Sequence, residues 1–383
     1  PLVKLINLLE EHYIIERAKK FFTFADGKGV IMPTIFKDLG RFTTIGFFFK
    51  VRDLGFKHHS LAVQAAFWSD TWVQAEVIDQ FKVFARNRGT VKLHAKFKWR
   101  PDNVFHGLGP DSPKAARSFY RVTQTDVDLS LAARLSGLNK ITGWLTFRNV
   151  KIEGGKRTSI SSPEREPYWD VSNSSQVPGF DAWYNLLTAK LQLVLDSREQ
   201  KRENSHGSGV RFEAEGSYHL DPGHTDLQFA NWGGEISGYW DTTGLNHVIA
   251  LRLRVAGQER IGDWPVPIHE RLKLGGKEHH RGFIEGRWRG DSLFLATLSY
   301  RYPIWWMLDA NLFVSAGNVF TGRFDDFAFE RMALSWGLGL RTNNSRNVSF
   351  DVVIAFGTNQ FKHWRSDFQV QRIRLIFGIN QGF

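Results

Sequence analysis

Leu274 to Gly317 reads LGGKEHHRGFIEGRWRGDSLFLATLSYRYPIWWMLDANLFVSAG, and its second half decides the fold. Phe294, Ala296, Leu298, Tyr300 and Tyr302 take every second place, and Leu308, Ala310, Leu312, Val314 and Ala316 do the same. Between them stand Thr297, Ser299, Arg301, Asp309, Asn311, Phe313, Ser315 and Gly317, so each segment has one apolar and one mostly polar face. This is the period of two of a β-strand. A soluble sandwich alternates in the same way, so length and repetition must choose between a packed core and a lipid-facing sheet.

The alternation recurs along the chain. Val91, Leu93, Ala95, Phe97 and Trp99 interleave with Lys92, His94, Lys96, Lys98 and Arg100. A soluble core has no room for that basic face, whereas a water-filled lumen inside a lipid exterior does. Late in the chain Met332, Leu334, Trp336, Leu338 and Leu340 face one way, as do Val348, Phe350, Val352, Ile354 and Phe356. In the last segment Ile373, Leu375, Phe377 and Ile379 oppose Arg372, Arg374, Gly378 and Asn380. Strands are expected near 42–52, 60–69, 73–84, 90–100, 118–133, 140–152, 184–197, 210–220, 226–240, 246–256, 291–302, 307–317, 330–342, 348–358 and 370–381. Val30 to Phe36, apolar on both faces and holding Pro33, adds a weakly paired seam strand, because proline lacks a backbone donor. The total is about 16, an even number within the range of outer-membrane barrels. Only a closed sheet hides so many backbone groups from lipid.

Connections support a two-sided barrel. Short ones at 136–139, 241–246 and 343–347 contrast with long ones at 101–117, 153–183, 257–290 and 359–369. The expected fold is therefore all-β, a closed antiparallel transmembrane barrel of residues 29–383, preceded by a short amphipathic helix and linker, 1–28. That helix, Leu2 to Phe22, carries too many charges to span a bilayer; it lies at the membrane surface, plugs the pore, or is the remnant of a longer region.

Composition sets the remaining bounds. The 383 residues carry a formal charge of +11 and no Cys, which removes disulfides, thiolate nucleophiles and cysteine metal sites. No run approaches the roughly 18–20 apolar residues of a spanning helix. The basic excess raises nucleic acid as a partner, but the cations alternate with apolar residues instead of forming a stripe, and no nucleic-acid role is expected.

Leu274-Gly275-Gly276 followed by Arg281-Gly282-Phe283 resembles the conserved sixth loop of the bacterial surface antigen superfamily. That superfamily includes the barrels of the BAM complex, the translocation-and-assembly module, the two-partner-secretion transporters and the patatin-linked proteins. Phe105-His106-Gly107-Leu108-Gly109-Pro110-Asp111-Ser112, Leu195-Asp196-Ser197-Arg198, Tyr300-Arg301-Tyr302-Pro303, Leu312 to Gly317 and the terminal Phe383 are similar as well. The resemblance spans about residues 30–383. It implies that the 257–290 loop, between the eleventh and twelfth strands, folds into the lumen and that Arg281 meets acceptors on the inner wall, with Gly275, Gly276, Gly282 and Phe283 shaping the turn. Ser299 and Ser315 stand where relatives usually carry Glu and Asp. Arg281 is therefore expected beside hydroxyls, carbonyls, Phe283 and the acids Glu213, Glu215, Asp309 or Asp351. Pro33, Phe377 and Phe383 are expected at the seam. Polypeptide-handling relatives carry periplasmic POTRA modules ahead of the barrel; here either the modules were removed or the chain belongs to a group without them.

Catalytic patterns are missing: there is no Gly-x-Ser-x-Gly elbow, His-Glu-x-x-His or Walker loop. Adjacent pairs His58-His59 and His279-His280 point to opposite sides of an extended chain, so no metal and no cofactor are expected. Asp126 with Asp128, and Glu213 with Glu215, read as lumen salt bridges to Arg252, Arg254, Arg372 and Arg374 rather than as catalytic pairs. The resemblance implies a non-enzymatic barrel of a Gram-negative-type outer membrane that moves or inserts polypeptide. Its expected partners are outer-membrane lipid and unfolded clients or periplasmic subunits. The alternative is an anchoring barrel, or a pore for small solutes or lipid, on the same scaffold.

Overall fold

The computed structural model describes residues 21–38, 43–68, 72–84, 88–155, 177–198, 207–223, 226–305, 308–342, 349–367 and 369–380. Sixteen strands form one closed antiparallel ring. In chain order they are β1 (Gly29–Asp38), β2 (Thr44–Arg52), β3 (His59–Trp68), β4 (Trp72–Val83), β5 (Gly89–Phe105), β6 (Ser118–Arg134), β7 (Lys140–Gly154) and β8 (Trp183–Asp196). The second half comprises β9 (Gly209–Leu220), β10 (Gln228–Asp241), β11 (Val248–Arg260), β12 (Ser292–Trp305), β13 (Leu308–Phe320), β14 (Ala333–Thr342), β15 (Ser349–Gln360) and β16 (Val370–Asn380). Each pairs with its chain neighbours, and β16 pairs with β1 to close the ring. Of the expected N-terminal helix only Phe21 and Phe22 fall among the described residues, and Phe383 lies outside them.

The alternation sorts as the sequence predicts. Leu93, Phe97, Val127, Leu129, Leu145, Leu191, Leu251, Leu298, Leu312 and Leu338 stand exposed on the outer face. Their neighbours point inward into ion pairs: Lys96 meets Glu76 at 3.0 Å and His94 meets Asp128 at 2.9 Å. Apolar surface of this extent, arranged as a belt, suits lipid. No helix among the described residues is long and apolar enough to cross a membrane.

The inner wall is less uniformly polar than the sequence suggests. Phe48, Ala62 and Ile78, with Met32 against them, form a buried apolar patch on β1–β4, opposite in facing to the exposed Phe47 and Val77. The longest connections follow β7 and β11, and those after β6, β10, β12 and β14 are short. β5 and β6, at 17 residues each, are the longest of the ring. Inward residues of β5–β8 and β10, including Tyr120, Val150, Ile152, Leu186 and Phe229, pack on Val266 and Ile268 from the β11–β12 connection. One long connection therefore rests on the inner faces of these strands.

Candidate functional site

Two features of the ring meet at one place, the β16–β1 junction and the tip of the β11–β12 connection. Among the described residues the junction pairs Ile376, Phe377, Gly378 and Ile379 with Asp38, Lys37, Phe36 and Ile35. Other ladders are much longer, as in the 15 pairs of β6 with β7. Pro33 pairs with Phe47 of β2 and stands beyond this short ladder, while Phe377 is within it.

The connection leaves β11, returns through a ribbon in which Leu272–Leu274 pairs with Trp288–Gly290, and carries the tip between them. Gly275 and Gly276 have φ of 109° and 103°, values that side chains strongly disfavour. A Cβ on Gly275 would overlap the Ile284 carbonyl. The turn is closed by Gly276 N donating to Phe283 O at 2.8 Å. Gly282 serves a different purpose. Its backbone lies directly on the barrel wall, where a Cβ would overlap the Phe356 carbonyl, and its N–H donates to Ser335 Oγ at 2.7 Å.

Aromatic packing anchors the tip. Phe283 stands edge-on to Trp288 at 4.4 Å and faces His280 at 4.8 Å, within a core that includes Leu274, Leu293, Leu295 and Val319. Such a pair contributes about 0.5–1.5 kcal/mol beyond its buried area. His280 Nδ1 lies 3.0 Å from Ser315 Oγ. Burial pushes the His280 pKa down to about 3.

Arg281 lines a cavity of about 420 Å³ together with Ser299, Ser315, Asp309, Phe313 and Arg341. Its Nε donates to Lys277 O at 2.9 Å, and its guanidinium lies 4.8 Å over the Phe313 ring. Burial lowers its pKa, an effect opposed by the charges of Asp351 and Glu278. Glu213, Glu215 and Asp309, expected beside it, are held elsewhere. Glu213 takes Arg211, Glu215 takes Lys190 at 2.6 Å, and Asp309 takes Arg301. Each of these cations is on the same or an adjacent strand. The acid pairs form salt bridges as expected, and Arg254 approaches Glu215 at 3.6 Å, but Asp126 takes Arg148 at 2.8 Å and Asp128 takes His94 instead of the expected arginines.

The link that sequence reasoning missed is Arg374. This β16 residue is fully buried and forms a two-pronged ion pair with Asp38 of β1. Its remaining nitrogen donates to Arg281 O at 2.6 Å and to Phe283 O. Thus one guanidinium joins both sides of the junction to the loop tip. A planar five-donor head suits this role, and a lysine could not fill it. Further up the same connection, Arg289 donates to Ile268 O at 2.7 Å and to the Tyr120 hydroxyl. Glu270 takes Arg148 at 2.8 Å and the Tyr184 hydroxyl at 3.1 Å. Among the described residues no cluster of His, Cys, Asp and Glu is arranged to hold a metal.

A family model described as the Omp85 superfamily domain matches residues 52–381. A comparison of the sequence with curated proteins finds no match. Among solved structures, BamA from Haemophilus ducreyi lacking POTRA domains 1–3 is similar at TM-score 0.64 and 16% identity, covering 92% of this chain and 70% of that one. CdiB from Acinetobacter baumannii is similar at TM-score 0.57 and 13% identity, covering 93% of this chain and 60% of that one. CdiB from Escherichia coli gives 0.54 and 12%, with 91% and 62% covered. At these identities the likeness is one of fold.

Proposed function

Since this chain belongs to the Omp85 superfamily, we propose that it is a non-enzymatic outer-membrane barrel that moves or inserts polypeptide through a weak β16–β1 junction, with the β11–β12 loop propping the lumen from within. The observation that carries this reading is the ladder of four residue pairs at the junction. At about 0.5–1.5 kcal/mol net per hydrogen bond, the described ladder itself contributes only a few kcal/mol, to which the buried Arg374–Asp38 pair adds. An opened edge of β1 or β16 presents unpaired N–H and C=O groups, which an incoming strand of a client can pair.

The chain has no cysteine, so a cross-link can be placed without background. Lys37→Cys with Phe377→Cys bridges partners in the ladder. Oxidising that pair should abolish client insertion or export in reconstituted vesicles, and reduction should restore it. Full activity of the oxidised form rejects the lateral mechanism.

A second reading, a pore for small solutes or lipid or an anchoring barrel, is favoured by the two lumenal cavities of about 420 and 390 Å³, whose walls include Arg252, Arg281, Arg301 and Arg148. Planar-bilayer conductance before and after removal of residues 1–25 tests it. Steady conductance together with activity that survives the cross-link favours this pore.

A further inference from the structure

The β13–β14 connection turns outward, whereas the β11–β12 connection turns inward. Val319 of β13 is buried in the inner core with Phe283 and Trp288, so its neighbour Phe320 points to the outer face, as the exposed Leu312 does further down the strand. Phe320 is nevertheless 0% exposed. The connection covers it: the Phe324 and Phe327 rings lie 5.9 and 5.0 Å from its own. Phe327 also stands edge-on to Phe294 of β12 at 6.0 Å and to Phe329 at 5.5 Å. Five phenylalanines from two strands and a loop thus form one cluster on the outside of the ring.

Polar bonds hold the connection in this shape. Asp326 accepts from the backbone N–H of Thr321 at 2.8 Å and from Arg331 Nη1 at 2.9 Å. Phe324 N donates to Ser292 Oγ at 3.1 Å and Arg323 Nε donates to Glu259 at 2.8 Å, which ties the loop to β12 and β11. Phe324 takes φ of 64°, a left-handed conformation that is costly for a bulky side chain and persists because the surrounding bonds impose it. The outermost rings are held bare: Phe329 is 68% exposed and Phe327 39%.

A fixed patch of bare rings marks a surface that something covers, and the wall beneath it says what. Below Phe294 the same face of β12 carries Ala296 and Leu298, and below Phe320 the same face of β13 carries Ala316, Val314 and Leu312. Their ladder partners on β14 are Leu334, Trp336 and Leu338. None of these is charged, and Leu298, Leu312, Trp336 and Leu338 are exposed. The patch therefore continues the lipid-facing belt without a charged break. The exposed charged residues Arg323, Asp325 and Glu330 are interleaved with the rings along the connection. Rings and charges at one level suit the boundary between acyl chains and headgroups, where aromatic side chains concentrate. We propose that the β13–β14 connection is a lipid anchor, with Phe327 and Phe329 seated in the bilayer at that boundary, so that the membrane grips the barrel by a loop as well as by its strands. This inference stands whether or not the barrel moves polypeptide.

Because the chain has no cysteine, a nitroxide spin label can be attached at one site at a time. The full chain carrying Phe329→Cys, labelled and reconstituted in phosphatidylcholine vesicles, should be relaxed more by oxygen, which concentrates among acyl chains, than by a water-soluble nickel chelate. Phe327→Cys should follow it, as should Leu298→Cys in the belt, while Asp325→Cys should show the reverse order. Heat-dependent gel migration checks that each labelled protein keeps its barrel. Relaxation by the nickel chelate at Phe329→Cys or Phe327→Cys as strong as at Asp325→Cys overturns the proposal by placing the cluster in water. Protection of both sites from both reagents also overturns it, by assigning the patch to a second copy of the chain or another protein.

Discussion

Arg374 and Asp38 stand 336 residues apart in sequence and form a buried ion pair where the ring closes. Truncating one partner of such a pair costs about 3–5 kcal/mol, because the other charge is left buried and alone. Arg374→Gln should therefore lower the temperature at which the folded, fast-migrating form is lost on gels, and Asp38→Asn should do the same. The two changes together should cost less than their sum, a non-additivity that a double-mutant cycle reads directly.

Gly282 touches the wall without a side chain to spare. Gly282→Ala should push the tip away from Phe356 and weaken the bond to Ser335 Oγ. Overpacking of this kind costs about 1–3 kcal/mol. Faster hydrogen exchange at Gly276 and Phe283, with the strand amides unchanged, is the expected signature.

Phe283 fills a dry pocket against Trp288 and Leu274. Phe283→Ala should cost about 3–5 kcal/mol. Because the loss falls on the loop rather than on the ladders, limited proteolysis should cut within 275–287 before the barrel itself melts.

Acid should loosen the same loop. His279 and His280 are pushed down to about 4 and about 3 by burial, from an ordinary value of 6.5, with Arg254 adding to the effect at His279. A base whose folded-state pKa is depressed binds its proton more readily when the loop is undocked. The docked state is therefore favoured in full above about pH 6.5 and loses about 1.4 kcal/mol per group for each pH unit below that, until the folded pKa is reached. Hydrogen exchange of the tip should accelerate from pH 7 to pH 5, and His280→Gln should flatten that dependence while retaining a partner for Ser315.

The strand pattern was legible because lipid on one side and water on the other enforce a period of two over most of the chain. Leu93 with Lys96, or Leu312 with Ser315, declares its face at once. The turn glycines were equally plain, since Gly275 and Gly276 occupy a backbone region that other residues avoid. What the alternation does not carry is partnership across the ring. Asp38 is one acid at the end of a short strand, and Ser335 is a small residue between leucines; only closure brings them to Arg374 and Gly282. Glu213, Glu215 and Asp309 were assigned to Arg281 by chemistry alone, although the register places Arg211, Lys190 and Arg301 closer. The apolar inner patch of Phe48, Ala62 and Ile78 was missed because Phe48 sits in a run of three phenylalanines, Phe47 to Phe49, where periodicity has little contrast to report.

A single guanidinium grips the first strand with two nitrogens and the loop backbone with the third, so detaching the tip and unzipping the closure disturb the same side chain. The two events are consequently cooperative. Whatever free energy loop withdrawal contributes to opening the junction, opening the junction contributes to loop withdrawal. A client strand prising at β1 would feel the loop as resistance, and anything that withdraws the loop would ease its way.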